Sequence, residues 1–173
     1  HQLCDSEAKA IFILGNFCDK LADIISKTQI NYVVQTNVGD LLGLKGKFIN
    51  FYLRFVKRVV PMVSFSGVST FRFASLMKRY YPTDPKTVRL DSSEIAFLQY
   101  TGGTTGTSKA AVLTHRNMIA NCLQAEAWFQ PVLKELSTGT TSKTENVGTM
   151  VCALPLYHIF ALTACLFLGC LLY

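Results

Sequence analysis

The stretch AKAIFILGNFCDKLADIISKTQINYVVQT, residues 8–36, decides the fold. AKAIFIL (8–14) is a short apolar run with β-branched residues, which reads as a strand. Gly15 and Asn16 break it, and Phe17, Leu21, Ile24 and Ile25 then recur at helical spacing through FCDKLADIISKT. NYVVQT (31–36) supplies a second strand. Strand, helix and strand joined by short connections predict a parallel sheet covered by helices, so the fold class is α/β.

The rest of the chain is consistent with that class. At 173 residues, 50% hydrophobic and 16% charged, it has material for one globular domain or part of one and is no disordered polymer. The terminus LFLGCLLY stops inside an apolar run, which reads as an internal fragment of a longer protein. Six cysteines lie scattered without a CxxC pair and read as small buried hydrophobes in a reducing compartment. A net charge of +6 and a pI near 9.1 admit nucleic acid, an anionic membrane or a polyphosphate as partner.

Residues 40–60, DLLGLKGKFINFYLRFVKRVV, read as one helix ended by Pro61. Lys47, Asn50, Arg54, Lys57 and Arg58 fall on one arc, while Phe48, Ile49, Tyr52, Leu53, Phe55, Val56, Val59 and Val60 fill most of the rest. The favoured reading is a packed helix with a solvated cationic stripe; the alternative is a peripheral membrane contact over residues 47–60. Aromatic and basic residues on opposite faces argue against nucleic acid.

Further on, 64–70 reads as a loop, STFRFASLMKRYY as a helix and 81–94 as a connector. IAFLQY (95–100) reads as a buried strand and AAVLT (110–114) as another. Thr114 caps a helix running to about Phe129, and 133–148 is a Thr/Ser-rich surface loop. TMVCALPLY (149–157) is strand-like. Residues 159–173, too short to span a bilayer, are expected to form a buried helix. The natural division is 1–90 and 91–173.

Between the two segments at 95–100 and 110–114 lies TGGTTGTSK, residues 101–109. Gly102, Gly103 and Gly106 free the backbone to converge N–H groups on phosphate oxygens. Thr101, Thr104, Thr105, Thr107 and Ser108 add hydroxyls, and Lys109 adds a mobile cation. Following a strand of an α/β sheet, such a loop stands where these sheets bind ligands. It is not a Walker loop, because two residues separate Gly106 from Lys109 and Ala110 replaces the Mg-binding hydroxyl. A plain surface loop is the bland alternative.

YTGGTTGTSKAAVLTHRN resembles the phosphate-binding signature of the adenylate-forming (AMP-binding) superfamily. AFLQYTGGTTG, LTHRNMIAN and ALPLYHIFALT, with AKAIFIL, KTQINYVV and KRVVP upstream, resemble bacterial long-chain fatty acyl-CoA synthetases over nearly all 173 residues. The resemblance implies part of that family's large N-terminal domain, with the C-terminal domain absent and the piece inactive alone. It implies a ligase that, with Mg²⁺ as cofactor, joins a long-chain fatty acid to the AMP part of ATP, expelling pyrophosphate, and then passes the acyl group to coenzyme A with release of AMP. Thr101 to Thr107 would cradle the triphosphate, Lys109 would neutralise charge, and His158 would lie near the carboxylate and acyl pocket. The family's ribose-binding aspartate, Thr-Glu metal motif and adenylation lysine would follow Tyr173. Ala110 departs from the family's glycine, and the excursion before TMVCALPLY is longer than in relatives. The implied location is cytoplasmic, on or near the inner face of the membrane. A noncatalytic nucleotide- or membrane-binding module is the reading from another class.

His158 also has a structural reading, as a hydrogen-bonded histidine beside Tyr157, and His115 reads as support for a helix start.

Overall fold

In the computed structural model, β1 (Ala10–Leu14) and β2 (Tyr32–Thr36) pair in parallel, Ala10 opposite Tyr32 through Leu14 opposite Thr36. The structure describes residues 1–80, 87–102, 106–138, 151–167 and 169, with the backbone alone for 132–138. The chain divides into two compact units, His1–Thr87 and Val88–Tyr173.

The first unit opens with a helical turn, α1 (Gln2–Asp5), and joins β1 to β2 through α2 (Cys18–Ala22), flanked by 3₁₀ turns at Gly15–Phe17 and Ile25–Lys27. The predicted strand, helix and strand are all present. The inward stripe is Cys18, Leu21 and Ile25, which pack with Ile30, Val33 and Phe65, whereas Phe17 and Ile24 are 45% and 41% exposed. The tighter 3₁₀ repeat after Ala22 rotates Ile25 inward and Ile24 out.

A third strand, β3 (Ser69–Arg72), extends the sheet in parallel in the order β1-β2-β3, and α4 (Phe73–Tyr80) follows it directly. The sequence reading placed Ser69 and Thr70 in a loop and began a helix there; only 64–68 is loop. Phe12 meets Phe73 edge-to-face at 6.4 Å, so α4 covers the sheet face opposite α2.

The predicted 40–60 helix is shorter than expected. Helix α3 (Gly43–Phe51) runs into a π-helical turn at Tyr52–Val56 and stops there, well before Pro61. Arg58 takes a φ of +53°, and the Val59 N–H reaches back to the Leu53 carbonyl at 3.1 Å, a closure usually given to glycine. The apolar arc is only partly packed: Ile49, Leu53 and Val60 are half-buried, whereas Phe48 is 77% exposed and Phe55 59%. Nor is the polar stripe uniformly solvated. The Asn50 amide N–H donates to Asp40 Oδ1 at 2.9 Å, and Asn50 Oδ1 accepts the Gly39 N–H at 2.9 Å. Asp40 Oδ2 accepts the Asn37 N–H (2.9 Å) and the Thr36 hydroxyl (3.3 Å), tying the loop after β2 to α3.

In the second unit, β4 (Ile95–Thr101) and β5 (Lys109–Thr114) form an antiparallel hairpin, so the glycine-rich segment is a hairpin loop rather than a crossover at the end of a parallel strand. The connection is too short for a parallel crossover. β4 is at most half buried, not the buried strand expected. Helix α5 (His115–Thr138) starts where predicted. The Thr114 hydroxyl accepts the Asn117 N–H at 3.3 Å while Asn117 Oδ1 accepts the Thr114 N–H at 2.9 Å, a reciprocal cap. It continues through Pro131 past the expected end at Phe129, because LKEL (133–136) consists of good helix formers. The rest of the Thr/Ser-rich excursion, 139–148, lies outside the described residues, as do 149–150 at the start of TMVCALPLY and 81–86 of the connector.

Residues 151–157 form no strand; Pro155 removes a ladder donor there. Residues 159–167 are helical, with a π-helical turn at Ala161–Phe167, but only Ala161 is buried; 168 and 170–173 lie outside the described residues. No helix among the described residues is long and apolar enough to cross a membrane. Cys18 and Cys122 are buried as expected, whereas Cys4 and Cys152 are exposed.

Candidate active site

Thr101 and Lys109 face each other across the base of the hairpin loop. The Thr101 hydroxyl donates to the Lys109 carbonyl at 3.2 Å, and the Ser108 hydroxyl donates to the Thr101 carbonyl at 2.7 Å. Two hydroxyls that the sequence offered to a ligand therefore close the neck of the loop. Gly106 has a φ of +140°, open almost only to glycine, and a side chain there or at Gly102 would meet no neighbour. Thr107 and Lys109 are exposed. Gly103, Thr104 and Thr105 lie outside the described residues. Ala110 is an ordinary strand residue paired with Tyr100 and has no positive φ, so its methyl group does not strain the backbone.

The segment carrying His158 lies against the same hairpin. Gln99, two residues before Thr101, donates from its amide to the Tyr157 carbonyl at 3.5 Å. His158 is exposed; its Nδ1 accepts the Phe160 N–H at 3.4 Å, and its carbonyl accepts the Leu162 N–H at 3.0 Å. It thus caps the 159–167 helical segment, a position the sequence reading did not assign to it, with its other ring nitrogen unused by that cap. His115 begins α5 and donates its N–H to the Glu94 carbonyl at 3.1 Å. In the turn before β4, two hydrogen bonds from Ser93 hold the Asp91 carboxyl below the usual carboxylate range.

One feature escaped the sequence reading. Ala96 and Phe97 of β4, His115, Met118, Ile119, Cys122 and Leu123 of α5, and Phe167 line an open-mouthed cavity of about 280 Å³. Phe167 stands edge-to-face against Phe97 at 5.9 Å. Its signal was present in the spacing of positions 115, 118, 119 and 122, which share one helix face. Burial pushes the Cys122 thiol up, as befits an apolar wall. The arrangement sets a donor-rich loop at one end of the hairpin and an apolar chamber against its strands.

The AMP-binding enzyme family model matches residues 1–172. The chain belongs to the AMP-binding enzyme family. Among AMP-binding relatives, the long-chain-fatty-acid–CoA ligase of Salmonella typhimurium is 42% identical over 177 residues, covering 100% of this chain and 28% of that protein. That of Bacillus subtilis is 29% identical over 166 residues, covering 95% of this chain and 27% of its own. The 4-coumarate–CoA ligase 2 of Petroselinum crispum is 35% identical over 97 residues, or 56% of this chain. The chain thus spans little more than a quarter of the length of the long-chain ligases it matches. No solved structure matches this AMP-binding chain.

Proposed function

We propose that this chain is part of the N-terminal domain of a long-chain fatty acid–CoA ligase, which uses ATP to form an acyl-adenylate and then transfers the acyl group to coenzyme A. Within that domain, 1–90 and 91–173 are its two portions. The observation that carries the proposal is the loop at 101–109: a glycine-loosened hairpin whose neck is fixed by hydroxyls and whose far strand begins with an exposed lysine. The names of the Salmonella and Bacillus relatives supply the acyl substrate.

Forming an acyl-adenylate expels pyrophosphate, and negative charge accumulates on it as the bond breaks. In this proposal Gly102, Gly103, Thr104, Thr105, Gly106 and Thr107 surround the triphosphate. Thr101 shapes the neck, and backbone N–H groups supply most of the donors. Lys109 places its ammonium on the departing phosphates. Mg²⁺ travels with the nucleotide: no group of three His, Cys, Asp or Glu among the described residues is arranged to hold it, and no step here is routed through it. The cavity between β4 and α5 accepts part of the hydrocarbon chain, and His158 stands toward the carboxylate. Lys109→Ala in the full-length protein lowers ATP-dependent acyl-hydroxamate formation by about 100-fold or more, the size of losing one transition-state donor. A binding module without catalysis forms no hydroxamate before or after the substitution.

The proposed location is cytoplasmic, with α3 touching the inner face of the membrane. Support comes from the row Leu44, Phe48, Tyr52 and Val56, one helical turn apart and exposed, beside exposed Lys47 and Lys57. Phe48→Asp is expected to abolish co-sedimentation with anionic vesicles; unchanged sedimentation removes this contact.

A further inference from the structure

A cleft in the first unit lies outside everything assigned so far. It opens at the carboxyl edge of β2 and β3 as two adjoining cavities of about 350 and 450 Å³, both lined by Gln35, Arg54 and Arg72. Gln35 and Arg72 are register partners at the last rung of the sheet, and Arg54 comes down from the π-helical turn after α3. Three elements therefore bring two guanidinium groups and a carboxamide to one waist. Arg54 is half buried, and neither arginine has a carboxylate partner among the described residues. The acid that also lines the cleft, Asp40, is engaged by three donors from Asn37, Thr36 and Asn50. Gly15 packs tightly beneath Gln35 and Asn37, which line the cleft: a methyl group there would come within 2.6 Å of Asn37 Oδ1 and 2.9 Å of Gln35 Nε2.

Apolar side chains flank this waist on either side, beside polar Asn37, Asn50 and Ser75 in one cavity and Ser64 and Thr70 in the other. Phe51 and Phe55, 4.9 Å apart, line one cavity; Pro61, Met62, Val63 and Phe71 line the other. Paired guanidinium groups match the planar or tetrahedral oxygens of carboxylate and phosphate through bidentate hydrogen bonds. A half-buried arginine without a carboxylate is the part of the surface with most to gain from one. We propose that this cleft is a second binding site, for a single-chain amphiphile whose anionic head sits between Arg54 and Arg72 and whose apolar part lies along Phe51 and Phe55 or Met62 and Phe71. The site uses no residue of the 101–109 loop, and the proposal assigns it a bound amphiphile as a regulator.

The test is calorimetric titration of the full-length protein with monomeric decyl phosphate, which is no acyl donor, with inorganic phosphate run beside it. Arg54→Gln combined with Arg72→Gln is compared with Lys20→Gln combined with Lys27→Gln, which removes the same charge outside the cleft. Arg54→Lys with Arg72→Lys keeps the charge and reports folding by circular dichroism. The proposal expects the cleft pair to weaken decyl phosphate binding by tenfold or more, the outer pair to leave it within twofold, the lysine pair to restore part of it, and inorganic phosphate to bind more weakly throughout. Equal losses in both glutamine pairs, or no loss in either, overturn it. Inorganic phosphate binding as tightly as decyl phosphate overturns the amphiphile assignment. Arginine-dependent binding to phosphatidic acid vesicles without binding of the monomer overturns it in favour of a lipid surface.

Discussion

At Gly39 and Gly46 the chain has no room for a side chain. A methyl group on either would overlap the other's carbonyl oxygen, so the loop after β2 lies backbone to backbone on α3 and fixes the Asp40–Asn50 network. Gly46→Ala is expected to cost about 1–3 kcal/mol, the usual range for overpacking, measured as a lowered urea midpoint at constant slope. A midpoint within error of the parent refutes that packing. Neither glycine could be singled out from sequence, because the contact joins residues on two elements. The cap of α5 was legible, since Thr114 and Asn117 are three apart and need only each other. The neck of the glycine-rich loop was half legible: its composition announced a loop, but which hydroxyls face inward depends on the pairing of β4 with β5.

Elements were read well where their own pattern was long enough. β1, β2 and the start of α5 stand as predicted, each with a run of residues that alternates or repeats visibly. β3 was missed because STFR spans four residues, all exposed, and only its pairing with β2 makes it a strand. The end of α3 was misplaced because the proline was read as the stop, whereas backbone closure at Arg58 acts first. The hairpin orientation was invisible to a pattern that sees periodicity and not partners. At this scale the cavity between β4 and α5 gives a prediction. Ile119→Trp fills it, and, on the proposed function, in the full-length protein it is expected to lower activity on long-chain acids several-fold more than on short ones. An equal effect on both chain lengths separates the cavity from the hydrocarbon.

Taken whole, the chain exposes many large apolar side chains, including Leu41, Leu44, Phe48, Met62, Trp128 and Val151, the last three each above 80% exposed. Such a surface exceeds what a free-standing domain usually shows, and it fits a chain that spans about 28% of its long-chain relatives. Produced alone, these 173 residues are expected to raise anilinonaphthalene sulfonate fluorescence well above the full-length protein, mole for mole, and to form no acyl-hydroxamate. Hydroxamate formation by the isolated chain at a rate like the whole protein's contradicts the proposal that the reaction needs parts beyond this piece. The α/β class and the family were readable at this scale because they rest on many short segments in order; the exposed surface was not, since exposure depends on what else is present.

The imidazole of His158 has a chemical consequence. With Nδ1 taking up the Phe160 amide hydrogen, the neutral ring carries its own hydrogen on Nε2. It can then give to a partner's lone pairs and has none of its own to offer. A carboxylate oxygen is a suitable neighbour for such a ring, and an ammonium or amide hydrogen is not.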